Sequence, residues 1–159
     1  MSIALAHEFV GNAVAARPLY EEALAILRAT GNRMGTAQVL SGLGRILEGD
    51  GDLETARRDQ EEAVAIYREF GQGDFAAWQV YFIGNILFKQ GDLAGAKRRY
   101  EEAEAMIVTA GPKRNSGAIA AMLTSIADVL AETGDLASAR RTADQALGMV
   151  AEGGSKDDI

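Results

Sequence analysis

Gly51-Asp52-Leu53-Glu54-Thr55-Ala56-Arg57, running on to Glu61-Glu62-Ala63, is written into this chain more than once. Gly91-Asp92-Leu93-Ala94-Gly95-Ala96-Lys97 runs on to Tyr100-Glu101-Glu102-Ala103, and Gly11-Asn12-Ala13-Val14-Ala15-Ala16-Arg17 runs on to Tyr20-Glu21-Glu22-Ala23. The copies begin at residues 11, 51 and 91, a step of 40. A fourth, Gly134-Asp135-Leu136-Ala137-Ser138-Ala139-Arg140 leading to Ala146, follows after 43 residues. A period of this size indicates a solenoid of stacked units rather than a domain with one central core. Such units suit a binding scaffold, but they do not name its partner.

Each unit divides into two helices. In the second unit the first helix covers roughly Arg33 to Glu48, with Val39, Leu40, Leu43, Gly44, Ile46 and Leu47 at helical spacing. The break falls at Gly49-Asp50-Gly51. Asp52 then serves as N-cap, its carboxylate accepting from the orphan amides of the next first turn. That second helix runs to about Phe70 with Ala56, Ala63, Ile66 and Tyr67 on its inner face, and Gly71 ends it in a left-handed conformation. The third unit repeats the pattern with Val80, Ile83, Gly84, Ile86 and Leu87, then Leu93, Ala96, Tyr100, Ala103 and Ile107. The fourth offers Leu123, Ile126, Ala127, Val129 and Leu130, then Leu136, Ala139, Ala146 and Val150. Small residues recur at fixed sites: Gly44, Gly84 and Ala127; Ala16, Ala56, Ala96 and Ala139; Ala23, Ala63, Ala103 and Ala146. Small side chains there let two helix backbones approach closely. The first unit is poorer. Its leading helix spans about Ser2 to Val10, and Pro18 is expected to kink or begin its second helix.

Composition narrows the function classes. Nearly half of the 159 residues are apolar, so the chain folds. A net charge of −7 argues against nucleic acid, which asks for a basic surface. No stretch approaches the roughly 20 apolar residues of a membrane span, and Met1 to Val10 lacks the basic start of a signal peptide. With no cysteine there is neither a disulfide framework nor a thiolate metal site, which fits a cytoplasmic protein. The domain is expected over residues 1–152, with 153–159 as a disordered tail.

The repeat resembles the tetratricopeptide repeat (TPR), whose first helix reads W-x2-L-G-x2-Y and whose second carries Ala, an aromatic and Ala. Leu40-x2-Leu43-Gly44-x2-Leu47 and Val80-x2-Ile83-Gly84-x2-Leu87 match the first part. Ala96-x3-Tyr100-x2-Ala103 and Ala16-x3-Tyr20-x2-Ala23 match the second. The family period is about 34. The extra six residues here fall between Ala63 and Val80, where longer helices absorb them, and the family's closing proline is absent. Long repeats of this kind are similar to those of bacterial signalling regulators. The resemblance implies an all-α, right-handed superhelical solenoid of about four antiparallel helix pairs. It also implies a module that binds protein rather than an enzyme, with no cofactor.

The candidate site follows from one helix. Trp78, Tyr81, Asn85 and Phe88 are three, four and three residues apart, so they share a stripe. The core stripe of that helix is already occupied by Val80, Ile83, Gly84 and Leu87. Phe75, Trp78, Tyr81, Phe82 and Phe88 are half of the chain's aromatic residues (one Trp, four Tyr, five Phe). In TPR-like stacks the matching positions line the concave groove. They add Gln38, Ser41 and Arg45 from the preceding unit, and Ala121, Thr124 and Asp128 from the following one. The opposing reading is that the rings fill space between lengthened helices. The family's carboxylate clamp uses lysine and asparagine; only Arg45 and Asn85 stand at such positions, so chaperone-tail recognition is not expected.

Other features have plainer readings. Arg57-Arg58, Lys97-Arg98-Arg99 and Arg140-Arg141 suggest anion binding. Yet Arg57, Arg58, Lys97 and Arg98 stand four residues before Glu61, Glu62, Glu101 and Glu102, a spacing for pairs within one solvated helix face. Glu48 to Glu54 is acidic but lacks the ligand order of a calcium loop. His7 is the only histidine, so no metal site or catalytic triad is expected within one chain. The leading reading is a non-enzymatic module binding a peptide or helix of a protein partner in the groove. One alternative is a ligand-sensing domain of a larger transcriptional or kinase regulator. Another is a homodimerisation module, because the last helix, about Leu136 to Val150, carries an apolar side with no following unit.

Overall fold

In the computed structural model, which describes residues 13–110 and 116–154, every regular element is an α-helix. They are α1 (Ala13–Ala29), α2 (Arg33–Asp50), α3 (Leu53–Glu69), α4 (Gly73–Lys89), α5 (Leu93–Ala110), α6 (Ser116–Glu132) and α7 (Leu136–Gly154). The expected leading helix at Ser2–Val10 lies outside the described residues, as do His7 and residues 155–159. Helix α7 continues through Gly153 and Gly154, the start of the expected tail.

A Gly-Asp pair makes the corners after α2, α4 and α6. After α2, Gly51 takes φ 85°, which only a residue without a Cβ adopts cheaply. Its amide donates to the Glu48 carbonyl, and the Asp52 amide donates to that of Leu47 at 2.9 Å, the paired closure of a Schellman motif. Asp52 then turns to the next helix: its Oδ1 accepts from the Thr55 amide at 3.3 Å. Asp92 does the same for Gly95 at 2.8 Å, Asp135 for Ser138 at 3.1 Å, and Asn32 for Gly35 at 2.9 Å. One dipeptide thus satisfies orphan groups of two helices.

Two boundaries differ from the sequence reading. The break expected at Gly49-Asp50-Gly51 is narrower, since α2 runs through Gly49 and Asp50 and only Gly51 leaves helical geometry. Pro18 does not begin its helix. Helix α1 starts at Ala13, so the proline lies inside, forgoing one amide donor.

The chain divides into two compact units, Met1–Gln72 and Gly73–Ile159. In the first, α2 packs on α3 and α1 on α2. Leu40, Leu47, Ala56, Ala63, Ile66 and Tyr67 are buried, whereas Ala23 is only half-buried. In the second, α4 packs on α5, α5 on α6 and α6 on α7. Ala96, Ala103 and Ile107 of α5 and Ile119, Met122 and Val129 of α6 form its interior. Leu136 and Val150, placed by pattern among the apolar positions of α7, are exposed. The same is true of Leu147.

The expected ion pairs within the outer helices form in part. Lys97 reaches Glu101 at 3.7 Å. Arg57 instead turns back to Glu54 at 3.2 Å, and Arg58 lies 3.8 Å from Asp59. Glu62 is engaged by Arg28 of α1 at 2.7 Å. The Arg28 side chain reaches from α1 to α3 and gives Glu62 a partner that spacing along one helix does not reveal. All of these pairs are at least partly solvated, so each contributes little to stability.

Candidate functional site

Helix α4 presents its aromatic stripe beside, not within, its packed face. Val80, Ile83, Gly84 and Ile86 are buried, and Trp78, Tyr81, Phe82, Asn85, Leu87 and Phe88 are half-buried. The steps of three and four explain this: the two sets occupy adjacent arcs of one helix. Phe75, a turn earlier, is exposed.

The rings are ordered by one another. Trp78 meets Tyr81 edge-on, with centroids 5.7 Å apart and planes at 89°. Phe82 stacks against Trp78 at 6.1 Å and 29°. Tyr81 packs on Phe82 at 5.7 Å and on Tyr100 of α5 at 5.4 Å. Each geometry lies within the favourable range for aromatic pairs.

Hydroxyls tie this cluster to the neighbouring helices. The Tyr81 and Ser125 hydroxyl oxygens are 3.1 Å apart. Ser125 Oγ donates to the Ala121 carbonyl at 3.3 Å, so the Tyr81 hydroxyl acts as donor to Ser125. Tyr100 Oη donates to Asn85 Oδ1 at 2.9 Å and fixes the carboxamide in the stripe. Thr124 and Asp128, the expected α6 contributors, are both exposed, and Thr124 Oγ1 donates to its own helix at Ala120. Thus Ser125, not Thr124, meets Tyr81. Ser125 and Tyr100 were missed as site residues. A register argument pairs position with position and does not see that a tyrosine hydroxyl reaches one residue further.

In the first unit the corresponding stripe of α2 is polar. Gln38 and Arg45 are exposed and Ser41 is half-buried. Ser41 Oγ donates to the Ala37 carbonyl at 2.8 Å and lies 3.4 Å from Tyr67 Oη. Beneath it, Gln60 is fully buried; its Nε2 donates to the Ser41 carbonyl at 3.3 Å, while its Oε1 has no partner among the described residues. Burial also pushes the carboxyl of Asp59 up from its ordinary value, against the pull of Arg58.

This unit also has a pocket of about 280 Å³ lined by Leu27, Arg28, Gly31, Arg33, Thr36, Glu62 and Ile66. Both guanidinium groups at its edge are engaged, Arg28 by Glu62 and Arg33 by Glu69. Among the described residues, no group of three or more His, Asp or Glu side chains is placed to hold a metal ion. Nor is any helix of these residues long and apolar enough to cross a membrane.

The comparisons with known proteins agree with this architecture. The profile of the MalT-like TPR region family matches residues 1–158. The chain belongs to that family. Among solved structures, this TPR chain is similar to BtubC (BKLC) from P. vanneervenii, with a TM-score of 0.86 at 19% identity. The match covers 94% of this chain and 61% of BtubC, so the TPR chain spans less than two thirds of that protein. A putative kinesin light chain of Podosopora anserina with nearly identical TPR-like repeats has a TM-score of 0.76 at 17% identity, covering 95% of this chain and 73% of its own. A point variant of that same kinesin light chain gives 0.77 at 17%, with the same coverage. At these identities the likeness carries the all-α TPR-like fold and nothing further. No curated protein matches the chain in sequence.

Proposed function

We propose that this TPR chain is a non-enzymatic protein–protein interaction module of the cytoplasm, and that the α4–α6 face takes a peptide or helix of a protein partner. The observation that carries the reading is the half-exposed cluster of Trp78, Tyr81, Phe82 and Phe88 on α4. These rings are braced by Ser125 and Tyr100 rather than withdrawn into the interior. Aromatic groups bury large area while losing little conformational entropy, and already ordered rings lose less still. Exposed Thr124 and Asp128 supply a polar border, and Asn85 a hydrogen-bonding group within the stripe. A few buried anchors within a polar rim are what concentrated binding energy requires.

The test is a hydrogen-exchange footprint of a partner captured on the immobilised chain. Protection of α4 and α6 amides supports the reading. Protection confined to the outer faces of α5 and α7 contradicts it.

A second reading, self-association, is favoured by one observation. Leu136, Leu147 and Val150 are 68%, 68% and 57% exposed, and their spacing of eleven and three places them on one side of α7. Val150 stands 43 residues after Ile107, which is 1% exposed, so a position buried inside the repeat array is open here. A sensor of small ligands within a larger regulator would use the same rings of α4; flanking domains of kinase, nucleotide-binding or DNA-binding type would favour it.

A further inference from the structure

Charge on the two helices of the aromatic face is mainly acidic. The charged residues of α4 and α6 are Asp74, Lys89, Asp128 and Glu132. Lys89 ends α4, directly after Phe88. The other described cations of this unit, Lys97, Arg98, Arg99, Arg140 and Arg141, belong to α5 and α7. Lys97 and Arg99 are engaged there by Glu101 and Glu102. Among the candidate residues of α4 and α6, the single charge is therefore the exposed carboxylate of Asp128. The Tyr81–Ser125 hydrogen bond fixes the register of α6 against the rings, and Asp128 lies three residues, just under a turn, beyond Ser125.

We propose that the partner segment is cationic, and that an arginine side chain of it seats against Trp78 and Tyr81 with Asp128 as its counter-charge; this rests on the reading of the α4–α6 face as the recognition surface. A planar guanidinium is weakly hydrated, stacks on indole and phenol faces, and offers a fork of donors to a carboxylate. Trp78 and Tyr81 meet at 89°, with Phe82 against Trp78 and Tyr100 against Tyr81, and both remain half-exposed. Their quadrupoles attract positive charge and do nothing for an acidic side chain. The field points the same way, since a chain of net charge −7 steers cationic segments toward itself and repels acidic ones.

Selection of peptides from a random dodecapeptide library tests the proposal, using the full chain as bait and the Trp78→Ala, Tyr81→Ala double variant, checked for helicity, as counter-selection. The proposal expects arginine, and lysine less strongly, to be enriched in peptides that require the two rings. Trp78 is the only tryptophan, so its emission then reports binding of a selected peptide at this site. Affinity should fall at least tenfold in Asp128→Asn, and again when each arginine of the peptide is replaced by glutamine. Enrichment of acidic or uncharged peptides that still depend on the rings would overturn the cationic partner while leaving the recognition face standing. Equal affinity of wild type and Asp128→Asn would remove the counter-charge. Recovery of no ring-dependent peptide would overturn both this proposal and the surface beneath it.

Discussion

The ring of Tyr100 lies where a side chain on Gly84 would have to stand: a Cβ built there falls 2.5 Å from Tyr100 Cε1. No real Cβ tolerates that distance, so either the ring or the helix must move. Gly84 thus lets α4 approach α5 closely, and Tyr100 fills the space and holds Asn85.

Gly84→Leu is expected to destabilise the chain. Replacing a mid-helix glycine with leucine gains nearly 1 kcal/mol in helix propensity, but overpacking costs about 1–3 kcal/mol or more, so the loss prevails. Gly148→Ala on α7 is the control, because a Cβ there meets nothing within 4 Å. It should gain about 0.5–1 kcal/mol. Urea denaturation of both variants checks the pair. Unchanged stability of Gly84→Leu would show that the α4–α5 contact is wrongly placed.

Gln60 stands 40 residues from both Tyr20 and Tyr100, at the position that is aromatic in the flanking units. It packs on Gly44 as Tyr100 packs on Gly84, but with its Oε1 buried and unpartnered. Gln60→Met keeps the length and removes the orphaned acceptor at the cost of one long hydrogen bond. The variant should be more stable by about 1 kcal/mol, read as a higher urea midpoint. A lower midpoint would mean that the carboxamide is satisfied in solution.

Asp59 gives a pH signature. It is 6% exposed, and burial raises its pKa above the ordinary 3.8. The fold therefore favours the protonated form. That stabilisation is full below 3.8 and is lost as pH rises through the folded-state value. Asp59→Asn mimics the protonated state, so it should raise the melting temperature at neutral pH. The difference from wild type should shrink as pH falls toward 4. A constant difference across that range would contradict the linkage.

The exposed side of α7 bears on self-association. Light scattering of the wild type should show concentration-dependent growth that Leu147→Lys with Val150→Lys abolishes. A monomer at all concentrations would set that second reading aside.

Much of the fold was legible because one signal was repeated four times. The Gly-Asp corner, the alanines at helix crossings and the glycines of the first helices each have a local physical cause, and the copies restrict chance matches. Boundaries were less legible. Gly49 and Asp50 stay helical because glycine is only weakly unfavourable in a helix, and Gly51 alone needs positive φ. Glu62 pairs with Arg28 across helices, a choice made by packing. At the candidate site, the α4 stripe could be read from spacing, as could the exposure of Asp128. Ser125, Tyr100 and the buried amide of Gln60 could not, because they depend on how far side chains reach between helices.

The central claim is that the rings of α4 recognise a partner rather than hold the chain together. Its most direct test is the Trp78→Ala, Tyr81→Ala double variant, measured for affinity toward a captured partner and for thermal unfolding. The account predicts binding weaker by about 2 kcal/mol or more, with helicity and cooperative unfolding retained. Undiminished affinity, or a variant that loses its fold with no separable binding defect, would contradict it.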